Sequence, residues 1–339
     1  MLRVTSIDVF EMVGVCPVLC VGVAARVAAL VQVRSIGGSV QAVLTVLRGS
    51  VPASGEDVIV IARVPADGPV RLGSVQLPDG RQLWDQYFDP SWSDQPDDGP
   101  LLWATNEPVP DAPRVWQVLT GMHPDTGLVP ILLAFMGDEH EGRPWDEGEL
   151  DARCDLAAVD RLDAASVLAE VWAGQTPSPD EVEHEPDLAD WFAPFGLEFP
   201  GLAPGQDQEL SGAELDAALG WFGPARIGLV PAARSADVLA LVGYNGTVNG
   251  YGTPELLSAV LRSWEDRFGA VLVEVGFAHI RLLARRPPRT LLHAQAVAAE
   301  LVPMCDEFWP IDKPGTAEKA IEGIAEHILR IPIWSMWLD

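Results

Sequence analysis

"TPELLSAVLRSWEDRFGAVLVEVGFAHIRLLARR", residues 253–286, packs a helix, a stop and a hairpin into one stretch. Thr253 is a suitable N-cap, and Pro254 at the first helical position brings a φ already fixed near the helical value. Leu256, Leu257, Val260, Leu261, Trp264 and Phe268 recur at helical spacing and make one apolar face. Gly269 ends the helix. AVLVEVGF and HIRLLARR then alternate in the manner of two paired strands. A helix with one apolar face, followed at once by a hairpin, implies a sheet with helices packed on it.

The same signals repeat on both sides. Upstream, ARIGLVPA reads as a strand, SADVLALVG as a short helix capped by Ser235, and YNGTVNGYG as a loop. Downstream, TLLHAQAVAAELVPMC reads as a helix capped by Thr290. TAEKAIEGIAEHILR is a second, capped by Thr316, with Ile321, Ile324, Ala325 and Ile328 inward and Pro332 beyond its end. The chain closes on IPIWSMWLD. As a strand, this puts Trp334, Met336 and Leu338 on one face and Ile333, Ser335 and Trp337 on the other. Both faces are apolar, so an interior strand is expected. The order β-α-α-β-β-α-α-β over residues 225–339 predicts an open α/β (α+β) sheet with helices, in a split βαβ, ferredoxin-like arrangement.

The first 82 residues differ. Short Val-rich runs alternate with GGS, PASGED, PADGP and PDGR turns, which predicts an all-β small barrel over 1–82. Residues 83–220 form an acidic, Trp-rich α+β region with linkers at 89–100 and 174–187. Within it, 111–124 and 161–174 read as short helices and 126–136 as a buried strand. The expectation is therefore a multidomain chain.

Charge divides the chain in the same way. Residues 1–80 hold 6 basic and 6 acidic side chains, residues 81–220 hold 5 against 30, and residues 221–339 hold 11 against 13. A middle third with net charge −25 repels nucleic acid and either favours a basic protein partner or is simply a solvated surface that keeps the protein soluble. The one basic cluster, RLLARRPPR (281–289), lacks interleaved aromatics and is expected to pair with that acidic surface. The four cysteines have no disulfide-framework spacing, which fits a reducing cytoplasm. The apolar run 12–25 is too short to span a bilayer, and Asp8 and Glu11 stand where a leader would be basic.

Two resemblances add to this reading. SIDVFEMVG (6–14), GEDVIVIARV (55–64) and GPVRLGSVQLPDG (68–80) resemble the second, β-barrel domain of translation GTPases. No phosphate-binding loop accompanies them, so a GTPase is not implied. LVPAARSADVLALVGYNGTVN (229–249), VLRSWEDRFGAVLVEVGFAHIRL (260–282), AVAAELVPMCDEFW (296–309) and WSMWLD (334–339) resemble the DUF4253 family, an uncharacterised bacterial domain. HPDTGLVPILL (123–133) and RPWDEGEL (143–150) resemble sequence that precedes that domain. The family's Cys-Pro-Asp element is here Cys305-Asp306, without the proline. The resemblance implies a fold but no activity.

The chemistry must come from residues. The six histidines (His123, His140, His184, His279, His293, His327) show no metal-ligand pairing, so neither metal nor cofactor is expected. No nucleophile elbow occurs. Cys305 falls at the end of an apolar helix, where the dipole disfavours a thiolate. Asp306, Glu307 and Asp339 are the candidate catalytic carboxylates; Trp264, Arg267, Asn249, Cys305 and Trp337 are the candidate binding residues. The leading expectation is a non-enzymatic protein-interaction protein with an acidic recognition surface, a toxin-neutralising immunity type being one concrete version. A small hydrolase or transferase using those carboxylates is the alternative, and a translation-linked accessory protein the third.

Overall fold

The Val-rich runs near the N-terminus form strands β1 (Val18–Gly22), β2 (Ala25–Ile36) and β3 (Ser39–Arg48). They make a three-stranded antiparallel sheet with β2 in the centre, Val18 opposite Ala29 and Val27 opposite Arg48. This computed structural model describes residues 18–22, 25–36, 39–48, 62–86, 99–135, 142–147, 149–184, 193–246, 252–305, 307–309 and 320–338. The chain divides into two units, residues 1–60 and 61–339.

The second unit begins with β4 (Gly68–Leu72), β5 (Val75–Leu83), β6 (Leu102–Thr105), α1 (Ala112–Thr126) and β7 (Leu128–Leu133). Helices α2 (Leu156–Asp160), α3 (Ala164–Gln175), α4 (Pro179–His184) and α5 (Gly212–Leu219) follow. Next come β8 (Arg226–Pro231), α6 (Val238–Leu241), α7 (Pro254–Phe268), β9 (Ala270–Val275) and β10 (His279–Ala284). The chain ends with α8 (Leu291–Leu301), β11 (Glu307–Trp309), α9 (Ala320–Arg330) and β12 (Ile333–Trp337).

The nine strands among the described residues of this unit form one mixed, open sheet in the order β11-β12-β10-β9-β7-β8-β6-β5-β4. Neighbours are antiparallel except β7 and β9, which run parallel. Helices cover both faces. On one, Trp116 and Leu119 of α1 and Leu219 of α5 pack on Trp103, Leu132, Leu229 and Val273. On the other, α3, α7, α8 and α9 pack on Ile131, Leu272, Ile280 and Met336. Burial on both faces explains why LVPILL of β7 is apolar throughout and buried at every position.

Two tryptophans act as anchors through indole N–H groups that find backbone acceptors. Trp116 donates to the Pro130 carbonyl at 2.8 Å and so fastens α1 to β7. Trp145 donates to Ala134 O at 2.9 Å. The terminal stretch is interior as expected: β12 lies between β11 and β10, and Trp334, Met336 and Leu338 are buried. Trp334 meets Trp264 edge-on at 5.7 Å and Phe268 at 5.6 Å, joining α7 to the last strand.

Three expectations change. Strands from all three expected regions share the large sheet, so the boundaries at 82 and 220 give way to a division at residue 60. Leu77 and Leu83 of β5 are buried, and the end of β5, from Gly80 to Leu83, pairs with β6; that is why 68–83 stays with the C-terminal unit. The described strands before residue 60 form a sheet of three, and residues 6–14 and 55–61 lie outside the described residues. The ferredoxin-like arrangement is not formed, because β7 from the middle region sits between β8 and β9. Ser235 does not cap a helix. Its hydroxyl accepts from Leu272 N at 2.8 Å, supplying a partner for a buried strand amide. Thr253 and Gly269 do flank α7, with Gly269 left-handed at φ 57°, and the Thr290 side chain caps α8. Thr316 lies outside the described residues.

Candidate functional site

Helix α7 presents two faces. Its apolar face enters the core, and its outer face carries Arg262, Ser263, Asp266 and Arg267. These residues line a cleft of about 420 Å³, closed on the other side by Val159, Asp160, Leu162, Asp163 and Ala164 of α2, α3 and their link, with Leu202 and Arg234 at its ends. The cleft exists because α2 and α3 both pack against α7. Each arginine in it is held from behind by carboxylates. Arg234 Nε donates to Glu265 at 2.6 Å and its Nη2 to Asp266 at 2.5 Å. Arg262 Nε donates to Asp237 at 2.5 Å and its Nη1 to Asp160 at 2.6 Å. The bond to Asp237 leads the causes that raise the Arg262 pKa.

Arg267 takes part in the most buried ion pair. Its Nη1 and Nη2 bind both oxygens of Glu300, at 2.8 and 2.5 Å, and Glu300 is fully buried. Trp264 Nε1 donates to the same carboxylate at 2.9 Å, as does the Ala203 amide at 2.6 Å. Arg267 also donates to Ala203 O and Ser263 Oγ. Trp264 and Arg267, both expected to bind something, thus converge on a carboxylate of α8 and pin the 203 loop. Glu300 was missed in the sequence; its only trace is one acidic residue inside AVAAELV, where the helical repeat calls for an apolar one.

A second polar cluster lies on the sheet itself. Arg281 pairs with Glu274 and Leu282 with Leu272, so the register passes over Val273. This bulge places Val273 and Glu274 on the same face, and Val275 returns to the opposite core. Glu274 can then meet Arg281 at 2.9 Å and His279 at 3.2 Å. Trp337, opposite His279 in the register, stacks on its ring at 6.3 Å and 13°. Glu307 of β11 stands opposite Trp337 on the next strand.

The remaining candidates fall as follows. Asp306, Asp339 and Asn249 lie outside the described residues, so their meeting with Arg267 is not described; Arg267 itself is bound to Glu300. Cys305 is buried, with its thiol bonded to Leu301 O at 3.2 Å. The other described thiol, Cys154, has its pKa pushed up to about 12 by burial and by Glu255, so it stays protonated. Arg289 of the basic cluster bonds Glu214 of the acidic stretch at 2.7 Å, an intramolecular pairing of the kind the charge pattern suggests.

The α7 helix, the β9–β10 hairpin, the α8 carboxylate and the closing tryptophan strand all fall within one segment. Residues 226–339 match DUF4253, a domain of unknown function. No curated protein and no solved structure matches the chain. The DUF4253 segment contributes one wall of the cleft and the whole sheet-face cluster; residues 159–164 and 202 supply the other wall from outside it. The segments 123–133 and 143–150, which resemble sequence preceding the domain, stay outside the match.

Proposed function

We propose that the protein is a non-enzymatic recognition protein whose carboxylate-rich surface binds a basic protein, with toxin neutralisation as the concrete version. One observation carries this reading: eight of the arginines are held by carboxylates of the chain itself. Arg81, Arg143, Arg226, Arg234, Arg262, Arg267, Arg281 and Arg289 each form an ion pair within the chain. With 49 acidic and 22 basic residues overall, the unpaired remainder is acidic. Asp180, Glu181 and Glu183 on α4 are exposed examples. Such a field speeds encounter with a basic partner and discriminates against acidic ones.

The carboxylate-enzyme reading has no comparable support, since two of its three residues lie outside the described ones. We further read residues 1–60 as a separate β-module of barrel type and place the protein in the cytoplasm. Supporting these are the three antiparallel strands and a cysteine spacing with no disulfide framework. Among the described residues no helix is long and apolar enough to cross a membrane.

The test is calorimetric titration of the full chain with a lysine- and arginine-rich peptide and with its acidic counterpart, between about 0.01 and 1 M salt. The expected result is binding of the basic peptide alone, lost as salt rises and weakened when Asp180, Glu181 and Glu183 are changed to lysine. Equal binding of both peptides, or none, overturns the proposal.

A further inference from the structure

The cleft between α7 and the α2–α3 link has a charge balance that selects its occupant. Arg234, Arg262 and Arg267 share it with Asp160, Asp163 and Asp266, and behind the arginines stand Asp237, Glu265 and Glu300. The lining alone balances three carboxylates with three guanidiniums; with the second row, which also holds Arg286 at the Asp266 carbonyl, six carboxylates stand against four guanidiniums, so an anion is disfavoured there. Asp160 and Asp266 are both about two-thirds exposed, and each gives one oxygen to an arginine. Asp163 binds the Ser166 amide and hydroxyl through a single oxygen, Oδ2, and these bonds lower its pKa, which keeps it ionised. Apolar side chains line the cleft beside these carboxylates: Val159, Leu162, Ala164, Leu202 and Ala259. The cleft volume of about 420 Å³ falls within the roughly 300–1,000 Å³ of small-ligand sites.

Apolar lining beside exposed, half-used carboxylates suits a long side chain with an aliphatic stem and a charged, multi-donor head. We infer that this cleft receives an arginine side chain of the basic partner. The inference rests on the recognition reading above and gives that surface its specific pocket. The planar guanidinium offers fixed, paired donors to a carboxylate, a directional fit that a lysine ammonium lacks.

The experiment follows backbone amide shifts of the full chain by NMR during titration with argininamide, with the neutral isostere citrullinamide as control. Expected are saturable shifts at Ala164 and Ser263 with argininamide and none with citrullinamide. The double variant Asp160→Asn/Asp266→Asn should weaken binding by about fivefold or more, the loss expected of two partly exposed ion pairs. These two aspartates also hold Arg262 and Arg234, so a second variant removes ambiguity. Leu202→Lys puts a cation at an exposed lining position and should abolish the shifts with the fold intact. Shifts that map elsewhere, or that survive both variants, overturn the cleft assignment. If the basic peptide still binds in a salt-sensitive way, the recognition reading stands without the cleft. If neither probe binds, both fail.

Discussion

Glu300 is the residue on which most of the C-terminal unit's polar chemistry converges. A fully buried carboxylate is tolerable only with its lone pairs satisfied, and here two guanidinium nitrogens, an indole and an amide do so. Glu300→Ala leaves Arg267 and Trp264 without their acceptor and should cost about 3–5 kcal/mol in urea unfolding. Arg267→Met combined with Glu300→Leu should cost much less than the two single changes summed. Additive losses would show that the pair is not coupled. His327 gives a prediction in pH. Burial lowers its pKa below the ordinary 6.5, with an Ile333 carbonyl contact acting in the opposite direction. The unfolded chain therefore binds more protons than the folded one as pH falls through about 6.5, and stability drops on acidification. His327→Gln should flatten the slope of the unfolding midpoint between pH 7.5 and 5.5. A slope equal to that of the parent would dismiss the assignment. (Asp and Glu contribute to both proteins alike, so the difference is the readout.)

Among the elements, the turn after α6 is the most sensitive. Gly243 is left-handed at φ 58°, and a Cβ there would lie 1.8 Å from the Asp151 carbonyl oxygen. The Gly243 carbonyl accepts from Asp151 N at 2.7 Å, and Leu150 bridges to Tyr244. Gly243→Ala should lower stability by about 2 kcal/mol or more. Gly174, inside α3 with open space around it, should gain up to about 1 kcal/mol as alanine. The same sign of change at both sites would refute the distinction. The difference between these elements also explains what the sequence disclosed. Helix α7 was legible because its cap, apolar face and stop are local. Strand β7 was legible as a buried strand from its unbroken apolar run, but not its neighbours, because pairing with β8 and β9 is a long-range choice. The bulge at Val273 and Glu274 left no mark either: VLVEV scans as plain alternation, and only the partner strand shows that one residue is passed over. Of the site, Arg267 and Trp264 were each singled out as candidate binding residues, but their meeting on Glu300 was not legible. Arg234, Arg262 and Asp160 were not singled out, since each reads alone as a surface charge.

At the scale of the molecule, the matched family segment and the folded unit have different borders. Residues 226–339 contain β8, β9, β10, β11 and β12 but not β7, which separates β8 from β9. A fragment of 226–339 alone should therefore fail to unfold cooperatively. Residues 61–339, which hold the whole sheet, should show one sigmoidal transition by circular dichroism. A cooperative short fragment would mean that β8 and β9 can pair without the inserted strand. The placement of β7 also has a consequence in time. Its partner β9 is made about 140 residues later, a delay of roughly 7–28 s at bacterial to slow translation rates of about 5–20 residues per second. For that interval an uncharged strand, buried on both faces in the finished sheet, has no parallel partner on the ribosome. Force profiles of arrested nascent chains should stay low until β9 has left the exit tunnel and then rise in one step. An early rise after α1 and β7 would mean that the strand is sheltered by its own helix first. A late, single rise would mean that the position of one six-residue strand makes the newborn chain dependent on whatever shields apolar surface during synthesis.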